Sequence, residues 1–474
     1  MSEDVPPGQV LNELDGEAIR SLEEQLRGAL VLPDGTEYED ARRVWNGLVN
    51  RYPALIVRCA GAADVAAAVE FAGDHDLPLS VRGGAHHQTG SAIAESGLVV
   101  DCSEMTSVQV DPEAQVAHVE PGTRARDVLH ETQQFGLATP TGSAASVGIP
   151  GSTLGGGIGW IRRKHGLGID ALRSVTVVTA DGRLRRASPE HNEDLFWALR
   201  GGGGNVGVVT SFEFDLYEVG PEVYGLGVFY PAEHDRAVFE RLREVMADAP
   251  RELTTLALNG HVPPLPALPA ELHGEPAVAV MGCYAGDRAE AQDVTAPLRN
   301  VAEPLIDMSG PMPYELLHEL GAQMYPDGRN YCHRSVFLDD LAGEALDLVV
   351  DGVDDAPSPA SGIGVWPLGG AVRDADAGGA FPWRDKDYMV TVEANWDGPD
   401  SKANLEWARE TDVAFREAGG QGAYGGFTGV EEGDDEDWPR RVYGDSYDRL
   451  AEVKREYDPE NLFQLNVNVD PSDA

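Results

Sequence analysis

Residues 80–90 read SVRGGAHHQTG: a short strand-like stretch with an arginine, two glycines and then two adjacent histidines. The preceding residues from 62 onward give an alanine-rich helical pattern, a short break and a strand that ends at the glycines. Two histidines after a glycine turn fit a metal site, a phosphate cradle or a covalent cofactor attachment. The metal site is least favoured, because adjacent strand residues point to opposite faces.

Two other segments are also rich in glycine. One is PTGSAASVGIPGSTLGGGIGWIRRKHG at 140–166, and the other is the GGGG run at 201–204. Glycine allows a backbone to approach a ligand closely, and free amides can bind phosphate. Gly202, Gly204 and Gly207 match G-x-G-x-x-G, but a helical pattern precedes them and a strand pattern follows, which is the reverse of the nicotinamide-dinucleotide motif. The three segments together predict a large, flat, phosphate-bearing ligand.

The charge of the chain excludes several classes of partner. The formal net charge is −44, the isoelectric point is near 4.4, and only four lysines occur. Such a chain repels nucleic acids and acidic membranes, so we expect neither as a partner. Because the acidity is spread along the chain, with one local run at 429–438, we interpret it as an adaptation to high salt, where screening removes self-repulsion.

The sequence gives no sign of export or membrane insertion. The first residues, MSEDVPPGQV, lack a basic region and an apolar run, and no window approaches about 18 uninterrupted apolar residues. The four cysteines are scattered without a C-x-x-C pair, which favours buried thiols over disulfides or a zinc site. We therefore expect a cytoplasmic protein without a metal. The cysteines are Cys59, Cys102, Cys283 and Cys332.

The secondary-structure pattern predicts an α+β fold with two structural units. Up to residue 220, strands and helices mix irregularly, with LVVDCS, SVQVD and AQVAHVE interpreted as a meander. SVTVVTADGRLRRAS is interpreted as a hairpin turned by Asp181-Gly182. A sheet covered by helices follows from 221. Helices are expected there near 233–248, 287–300, 340–350 and 402–418.

The motifs resemble those of the FAD-linked oxidases of the berberine-bridge-enzyme-like family, within the superfamily typified by p-cresol methylhydroxylase and vanillyl-alcohol oxidase. The resemblance covers most of 38–220 and 424–468. It implies a two-part FAD-binding domain formed by 1–220 and 431–474, with an antiparallel, helix-covered substrate domain at 221–430. The matching segments are VRGGAHHQTG, VEPGTRARDVL, VGIPGSTLGGGIGW, VVTADGRL, DLFWALRGGGGNVGVVTSFEF and YDPENLFQLNVN.

The resemblance also answers the question raised by the two histidines. It places a covalent flavin attachment at His86, four residues after Arg82, with Ala85 in place of a third glycine. A neutral imidazole nitrogen is a suitable nucleophile for this bond. Some relatives add a second bond from a cysteine, but Ala144 occupies that position, so attachment through His86 only is implied. His87 is interpreted as a neighbour that contacts backbone.

The cofactor-binding residues implied by the resemblance come from all the glycine-rich segments and from the C-terminal segment. They are Arg82, Gly83, Gly84, Ala85, His86, His87, Gln88, Ser91, Thr141, Gly142, Ser146, Val147, Gly148, Gly151, Gly155, Gly156, Gly207, Val209, Asn466 and Asn468.

Two residues are candidates for the catalytic base. Tyr424, in AYGGFTG, matches a family tyrosine, but a phenol titrates near ~10 and would need a lowered pKa. Thr391 occupies the position of a family carboxylate or amide, and Glu393 lies two residues on, on the same strand face. An exposed carboxylate at a sheet edge is the alternative for Glu393. Ile158 and Gly426 replace two other family residues.

The expected activity is FAD-dependent removal of a hydride from an alcohol-type carbon of a sugar or a secondary metabolite. Val147 lies at a position associated in the family with dioxygen access, which favours an oxidase that releases hydrogen peroxide. The expected partners are therefore a small-molecule substrate and dioxygen. Two alternatives remain open: a flavin dehydrogenase that uses another electron acceptor, and a flavin-binding protein without turnover.

Overall fold

The computed structural model describes residues 14–374, 378–430 and 437–474. The first unit contains a four-stranded sheet, a five-stranded sheet and a short antiparallel pair, Leu137–Ala138 with Tyr217–Glu218, and the C-terminal helices pack against it. The second unit is one large sheet with helices over one face. The boundary expected at residue 430 and most of the acidic run fall at 431–436, outside the described residues.

The first sheet holds the strand that leads to the two histidines. Its strands, in spatial order, are Ala29–Val31, Leu55–Arg58, Leu98–Asp101 and Leu79–Arg82, and all pairs except the first are parallel. Helix Ala62–Asp74 connects two of these strands, as expected from the alanine-rich pattern. The buried Asp64 carboxylate accepts hydrogen bonds from three backbone amides beside this helix and so fixes its start.

The meander predicted from the sequence is partly wrong. Leu98–Asp101 lies between two parallel strands of the first sheet. The pair Val108–Asp111 and Val116–Val119 belongs instead to a five-stranded antiparallel sheet. The apolar run LVV suited either sheet, because a strand buried on both faces has no alternation to reveal its partners.

The five-stranded sheet contains the predicted hairpin. Leu172–Val178 pairs with Leu184–Ala187, and the central strand is Val208–Asp215, directly after the glycine run. Only Gly182 of the turn pair is left-handed, with φ 72°, so the turn differs from the two-residue form. Its amide donates to the carbonyl of Thr179, which closes a longer loop.

The second unit is built on an antiparallel sheet, here called the large sheet. Its strands, in spatial order, are Ile306–Asp307, Glu222–Pro231, Pro276–Tyr284, Leu253–His261, Gly362–Pro367, Tyr388–Trp396 and Asn330–Leu338, with Gly310–Pro313 also paired to the second. One face packs under the helices Asp235–Asp248, Ala291–Arg299, Glu344–Asp351 and Ser401–Glu417.

Sequence reasoning missed a long strand and a helix of this unit, besides the short strands Ile306–Asp307 and Gly310–Pro313. Strand Leu253–His261 contains Asn259-Gly260, which resembles a turn. Helix Tyr314–Met324 contains Gly321 and follows Pro313. Both elements contribute to the cleft described below.

The remaining helices surround the first unit. They are Gly16–Gln25, Tyr38–Ala41, Ala125–Gln133, Ile149–Leu154, Arg162–His165, Glu193–Leu199, Trp438–Tyr443 and Tyr447–Tyr457. The last helix anchors the C-terminal segment through a fully buried ion pair between Lys454 and Asp458, 3.0 Å apart. The Lys454 ammonium also donates to the carbonyls of Asn205 and Phe463, which ties this segment to the glycine run.

Two buried arginines fasten the large sheet to the first unit. The guanidinium of Arg162 donates to the carbonyls of Thr255 and Pro367 across the interface, at 2.6 and 2.9 Å. Arg163 donates to the carbonyls of Leu253 and Leu368. These bonds use carbonyls at the ends of strands, so they fix the height of the sheet above the first unit.

All four cysteines are buried, and no disulfide links any of the described residues, in agreement with the sequence. None of the helices within the described ranges combines the length and the apolar character needed to cross a bilayer.

Candidate cofactor and substrate cleft

A deep cleft lies between the first unit and the free face of the large sheet. Its empty space, including the open mouth, is about 2920 Å³. Its walls are formed by residues of the first unit, of the large sheet and of the C-terminal segment, so the cleft extends across both units. The glycine-rich segments form the floor, and strands of the large sheet form the roof.

Most of the cofactor-binding residues predicted from the sequence line this cleft. They come from three separate segments and the C-terminal tail, which the fold brings together. The lining residues are Gly83, Gly84, Ala85, His86, His87, Gln88, Ser91, Gly142, Val147, Gly148, Gly151, Gly155, Gly207, Val209 and Asn466.

Two of the glycine segments cross in direct backbone contact. A Cβ atom on Gly84 would lie 2.5 Å from the backbone nitrogen and Cα of Gly148, and one on Gly148 would lie equally close to Gly84. Such distances are sterically forbidden, so both positions require glycine. The crossing places the histidine segment beside residues 144–148.

The floor of the cleft is an open cradle. A Cβ atom on Gly151 or Gly204 would meet no protein atom within 4 Å, so both glycines leave space on the cleft side. Asn466 lines the same space, and its Oδ1 atom is buried without a hydrogen-bond partner among the described residues. An unsatisfied buried acceptor next to empty space indicates a ligand with hydrogen-bond donors.

The side chain of Arg82 does not reach the cleft, although it was predicted to bind the cofactor. Its guanidinium donates to the carbonyls of Ala41 and Arg43 and lies 3.7 Å from the Asp101 carboxylate. The guanidinium is instead held by backbone of the segment 41–43 and lies beside Asp101, its partner in the neighbouring parallel strand. Arg82 therefore supports the segment from behind.

Four more predicted residues lie behind the lining. The Thr141 hydroxyl donates to the neighbouring Gly142 carbonyl, and Gly156 packs against the ring of Tyr424. The Asn468 Oδ1 atom is buried without a partner among the described residues, but this residue is not part of the cleft wall. Ser146 contacts His86 and not the open space.

The imidazole of His86 faces the cleft and is held by two contacts. It stacks on the indole of Trp45, with ring centroids 4.3 Å apart and 21° between the planes. Its Nε2 atom lies 3.0 Å from the Ser146 hydroxyl. Burial first, and the Arg124 guanidinium second, lower the pKa of His86 to about 3, so the imidazole is neutral at physiological pH.

The imidazole of His87 makes different contacts from that of His86. Its Nδ1 atom lies 2.8 Å from the Thr89 hydroxyl, and its Nε2 atom lies 3.0 Å from the carbonyl of Gly425. Both ring nitrogens are therefore engaged within the protein. The second contact ties the histidine segment to the loop that carries Tyr424. No metal site is formed here or elsewhere among the residues that the structure describes.

Tyr424 is buried at the junction of the two units. Its hydroxyl accepts a hydrogen bond from the Gly157 amide at 3.4 Å, and its own amide donates to the Ser335 hydroxyl. Burial raises the pKa of Tyr424 above its usual value, although the amides of Gly157 and Ile158 act in the opposite direction. The surroundings thus keep the phenol protonated and do not give it the lowered pKa that a base needs.

Glu393 is central, and the alternative of an exposed edge carboxylate is wrong. It lies in strand Tyr388–Trp396, which is paired on both sides, and it is only 3% exposed. Its Oε2 atom accepts a hydrogen bond from the Tyr325 hydroxyl at 2.7 Å, and Oε1 accepts one from the Thr391 hydroxyl at 2.8 Å. Both donors are neutral, and the carboxylate lines the cleft.

Two polar residues beside Glu393 were missed from the sequence. Tyr325 follows the missed helix, and His333 lies on the neighbouring strand of the roof. The Nε2 atom of His333 lies 2.6 Å from Oδ1 of Asn395, and its amide donates to the side chain of Gln88. The alternation in NYCHRSVFL was the available signal, because it puts Tyr331, His333, Ser335 and Phe337 on one face.

The rest of the roof and the walls around it are apolar. Three strands of the large sheet present glycine, leucine or methionine to the cleft, and helix Tyr314–Met324 closes one side. The apolar lining residues include Leu256, Met281, Met308, Met312, Leu317, Leu320, Met324, Trp366, Phe381 and Phe427. The polar groups of the roof are therefore confined to the strands of Glu393 and His333.

Cys102 also lines the cleft. It is fully buried, and burial, with a further contribution from Asp101, raises the pKa of its thiol. A thiol held protonated is a poor nucleophile. Ala144, at the position of the second attachment in some relatives, lines the cleft as well.

This fold and its glycine-lined cleft define a flavin-dependent oxidoreductase of the p-cresol methylhydroxylase and vanillyl-alcohol oxidase type. Residues 53–188 match the family described as "FAD binding domain", and residues 423–470 match the family "Berberine and berberine like". The (R)-6-hydroxynicotine oxidase of Paenarthrobacter nicotinovorans is 32% identical over 467 residues, which is 94% of this chain and 97% of that protein. The chain therefore belongs to the berberine-bridge-enzyme-like family of FAD-linked oxidoreductases.

Solved structures agree with this assignment. The 6-hydroxy-D-nicotine oxidase from Arthrobacter nicotinovorans has a TM-score of 0.82 and 29% identity, covering 94% of this chain and 98% of its own. The xylooligosaccharide oxidase from Myceliophthora thermophila has a TM-score of 0.81, 22% identity, and coverage of 96% and 99%. The second likeness concerns the fold alone. Both confirm the α+β class, and the first also agrees with the family resemblance derived from the sequence.

The residues of the cleft fit FAD. The glycine floor offers backbone to a flat ring system and to phosphates, and the unsatisfied Oδ1 atom of Asn466 offers an acceptor. Gly151, Gly155 and Gly204 line the floor, and His86 stands at its edge with a neutral ring.

The glycine crossing leads to a first prediction. Gly84→Ala should abolish FAD binding, because its Cβ atom would force the histidine segment away from Gly148. The measurement is the ratio of flavin to protein absorbance in purified protein. Gly73→Ala is the control: this glycine lies in a helix with no atom within 4 Å of the added carbon, so flavin content should be unchanged. Wild-type flavin content in Gly84→Ala would contradict the role of the crossing.

Proposed function

We propose that this protein is an FAD-linked oxidase of largely apolar small molecules. It takes a hydride from a carbon that carries an amine or hydroxyl group, and dioxygen accepts the electrons as hydrogen peroxide. The observation that carries this proposal is the Glu393 carboxylate, buried in the roof of the cleft between neutral donors and apolar walls. Bound FAD would supply hydride acceptance and the reaction with oxygen.

Glu393 is the group best suited to take the proton from the substrate. Hydride loss from an amine needs the neutral nitrogen, and hydride loss from an alcohol leaves an O–H proton to be removed. The hydrogen bonds from Tyr325 and Thr391 hold the carboxylate in one orientation toward the cleft. A buried carboxylate next to apolar walls also attracts a substrate ammonium group. Tyr424, which stays protonated, serves in this proposal as a hydrogen-bond donor.

The walls argue against the sugar alternative among the expected substrates. A carbohydrate presents many hydroxyl groups, and each one needs a partner when buried. The cleft offers polar side chains at only one end of the roof, whereas Leu256, Met281 and Trp366 line the other part. An apolar molecule with a single polar group matches this distribution.

The proton-transfer assignment gives a second prediction. Glu393→Gln keeps the size of the side chain but removes the base, so flavin reduction by substrate should slow by about 10²–10⁴-fold. Stopped-flow absorbance of the flavin under anaerobic conditions measures this step. Substrates are found first by oxygen consumption over a panel of apolar amines, apolar alcohols and sugars.

Tyr424→Phe is the matched comparison, because it removes one hydroxyl from the same cleft and keeps the ring. We expect a reduction rate within about tenfold of wild type, the effect of one hydrogen bond. A large loss of the flavin reduction rate in Tyr424→Phe, with a normal rate in Glu393→Gln, would show that the tyrosine and not the glutamate is the base. Oxygen consumption with sugars and none with apolar amines or alcohols would contradict the substrate class.

The covalent bond to FAD is also part of the proposal, and its support is the contrast between the two histidines. His86 has a neutral ring at the cleft, whereas both ring nitrogens of His87 are engaged by Thr89 and Gly425. A neutral, accessible imidazole is the nucleophile that the bond requires.

The third prediction follows from this contrast. After acid precipitation, wild-type protein should retain its flavin in the pellet, and His86→Ala should release all of it to the supernatant. His87→Asn should retain covalent flavin, since the amide can still contact the Gly425 carbonyl. Flavin in the supernatant of wild-type protein, or in the pellet of His86→Ala, would rule out attachment at His86.

The proposal that dioxygen is the electron acceptor depends on Val147. This residue lines the cleft and packs near Gly142. A branched but short side chain leaves a path to the flavin that a longer one would narrow. We therefore expect Val147→Leu to slow reoxidation of the reduced flavin in air by about tenfold or more, while reduction by substrate is unchanged. An unaltered reoxidation rate would remove Val147 as the determinant, and slow wild-type reoxidation would favour a dehydrogenase.

A further inference from the structure

The hydroxyl of Ser146 is the second group that holds the His86 ring. It lies 3.0 Å from Nε2 of the imidazole, and no other partner for this hydroxyl occurs among the described residues. Ser146 itself is buried, with 8% of its surface exposed. A buried hydroxyl with one partner has its position decided by that partner and by its own backbone.

The backbone around Ser146 is fixed on both sides. The amide of Ala145 donates to the carbonyl of His318, and the carbonyl of Val147 accepts from the amide of Ala125. The next residue is Gly148, which is in contact with Gly84. The serine therefore has a defined position relative to the histidine segment.

The ring plane of His86 is fixed independently. Trp45 stacks on one face of the imidazole, and Tyr331 stacks on the opposite face of Trp45 at 3.8 Å. Trp45 is itself held, because its amide donates to the Ala85 carbonyl and its indole N–H to the Tyr325 carbonyl. With the plane set by the stack and Nε2 beside the serine, Nδ1 is the ring nitrogen without a side-chain partner among the described residues.

We propose that Ser146 is the positioning residue for covalent flavin attachment: its hydroxyl accepts a hydrogen bond from Nε2–H of His86, so that the Nδ1 lone pair attacks the flavin methyl carbon. This inference rests on the attachment to His86 proposed above. A serine hydroxyl suits the role because it can both accept and donate. The neutral imidazole has one protonated nitrogen, and the bond to Ser146 selects which one.

The step balances with dioxygen as the oxidant. A C–N bond forms between Nδ1 and the methyl carbon, and one C–H bond of the methyl group breaks. The Nε2 proton leaves, so two protons and two electrons are released in total. Dioxygen, the acceptor named above, takes them and becomes hydrogen peroxide. After the bond has formed, Nε2 carries a lone pair, and the Ser146 hydroxyl turns from acceptor to donor.

The experiment follows attachment and not turnover. Full-length protein from a riboflavin-starved host is mixed with FAD in air-saturated buffer. Covalent flavin is measured over time in acid-precipitated protein and as the mass increase of the intact chain. Ser146→Ala should bind FAD but attach it about five- to tenfold more slowly, as expected for the loss of one hydrogen bond.

Two variants separate the hydroxyl from the fold. Ser146→Thr keeps a hydroxyl at the same place and should attach FAD within about twofold of the wild-type rate. Ser107→Ala removes an exposed hydroxyl outside the cleft, and its rate should equal that of wild type. NMR of the isolated flavin peptide should show the linkage at Nδ1.

An attachment rate in Ser146→Ala equal to that of wild type, or a linkage at Nε2, would overturn the role of Ser146 and leave the attachment itself standing. Equal slowing in Ser146→Ala and Ser146→Thr would also overturn it. Wild-type protein that never holds covalent FAD would instead refute the attachment proposed above, and this inference with it.

Discussion

The contact between the backbones of Gly84 and Gly148 is the constraint on which the cleft depends. Because neither residue has a side chain, the end of a parallel strand and the start of a short helix approach to van der Waals distance. That approach sets His86 beside Ser146 and brings two floor segments together. A single added carbon at either position would separate them.

The same cleft also depends on how firmly the roof is held. Arg162 and Arg163 bind carbonyls at strand ends of the large sheet, and on the other side Gln88 accepts a hydrogen bond from the amide of His333. Asn46 adds bonds to the backbone of Gln88 and Tyr331. The histidine segment is thus anchored to the floor and to the roof, so the attachment site and the substrate site share one rigid frame.

Much of this arrangement could be predicted from residues that act through the conformation of their own stretch of backbone. The strand ending at RGG, the hairpin at Asp181-Gly182 and the lining role of the glycine segments needed only turn chemistry and resemblance to a family. The order of the strands was harder to predict. Leu98–Asp101 is buried in a parallel sheet, where no alternation of apolar and polar residues indicates the partner strand. Burial of Glu393 could not be predicted either, because it depends on strands far away in the chain.

Side-chain direction was the second limit of the sequence. Arg82 belongs to the motif but points to backbone on the far side of the strand, and Ser146 belongs to the cofactor segment but touches the histidine. These side-chain directions determine which groups can take part in the chemistry of the cleft. Burial keeps the His86 imidazole neutral, whereas the Glu393 carboxylate is held in one orientation by hydrogen bonds from Tyr325 and Thr391. One cleft can therefore hold a neutral nucleophile at its floor and a proton acceptor in its roof, because neighbouring hydroxyl groups fix the orientation of each.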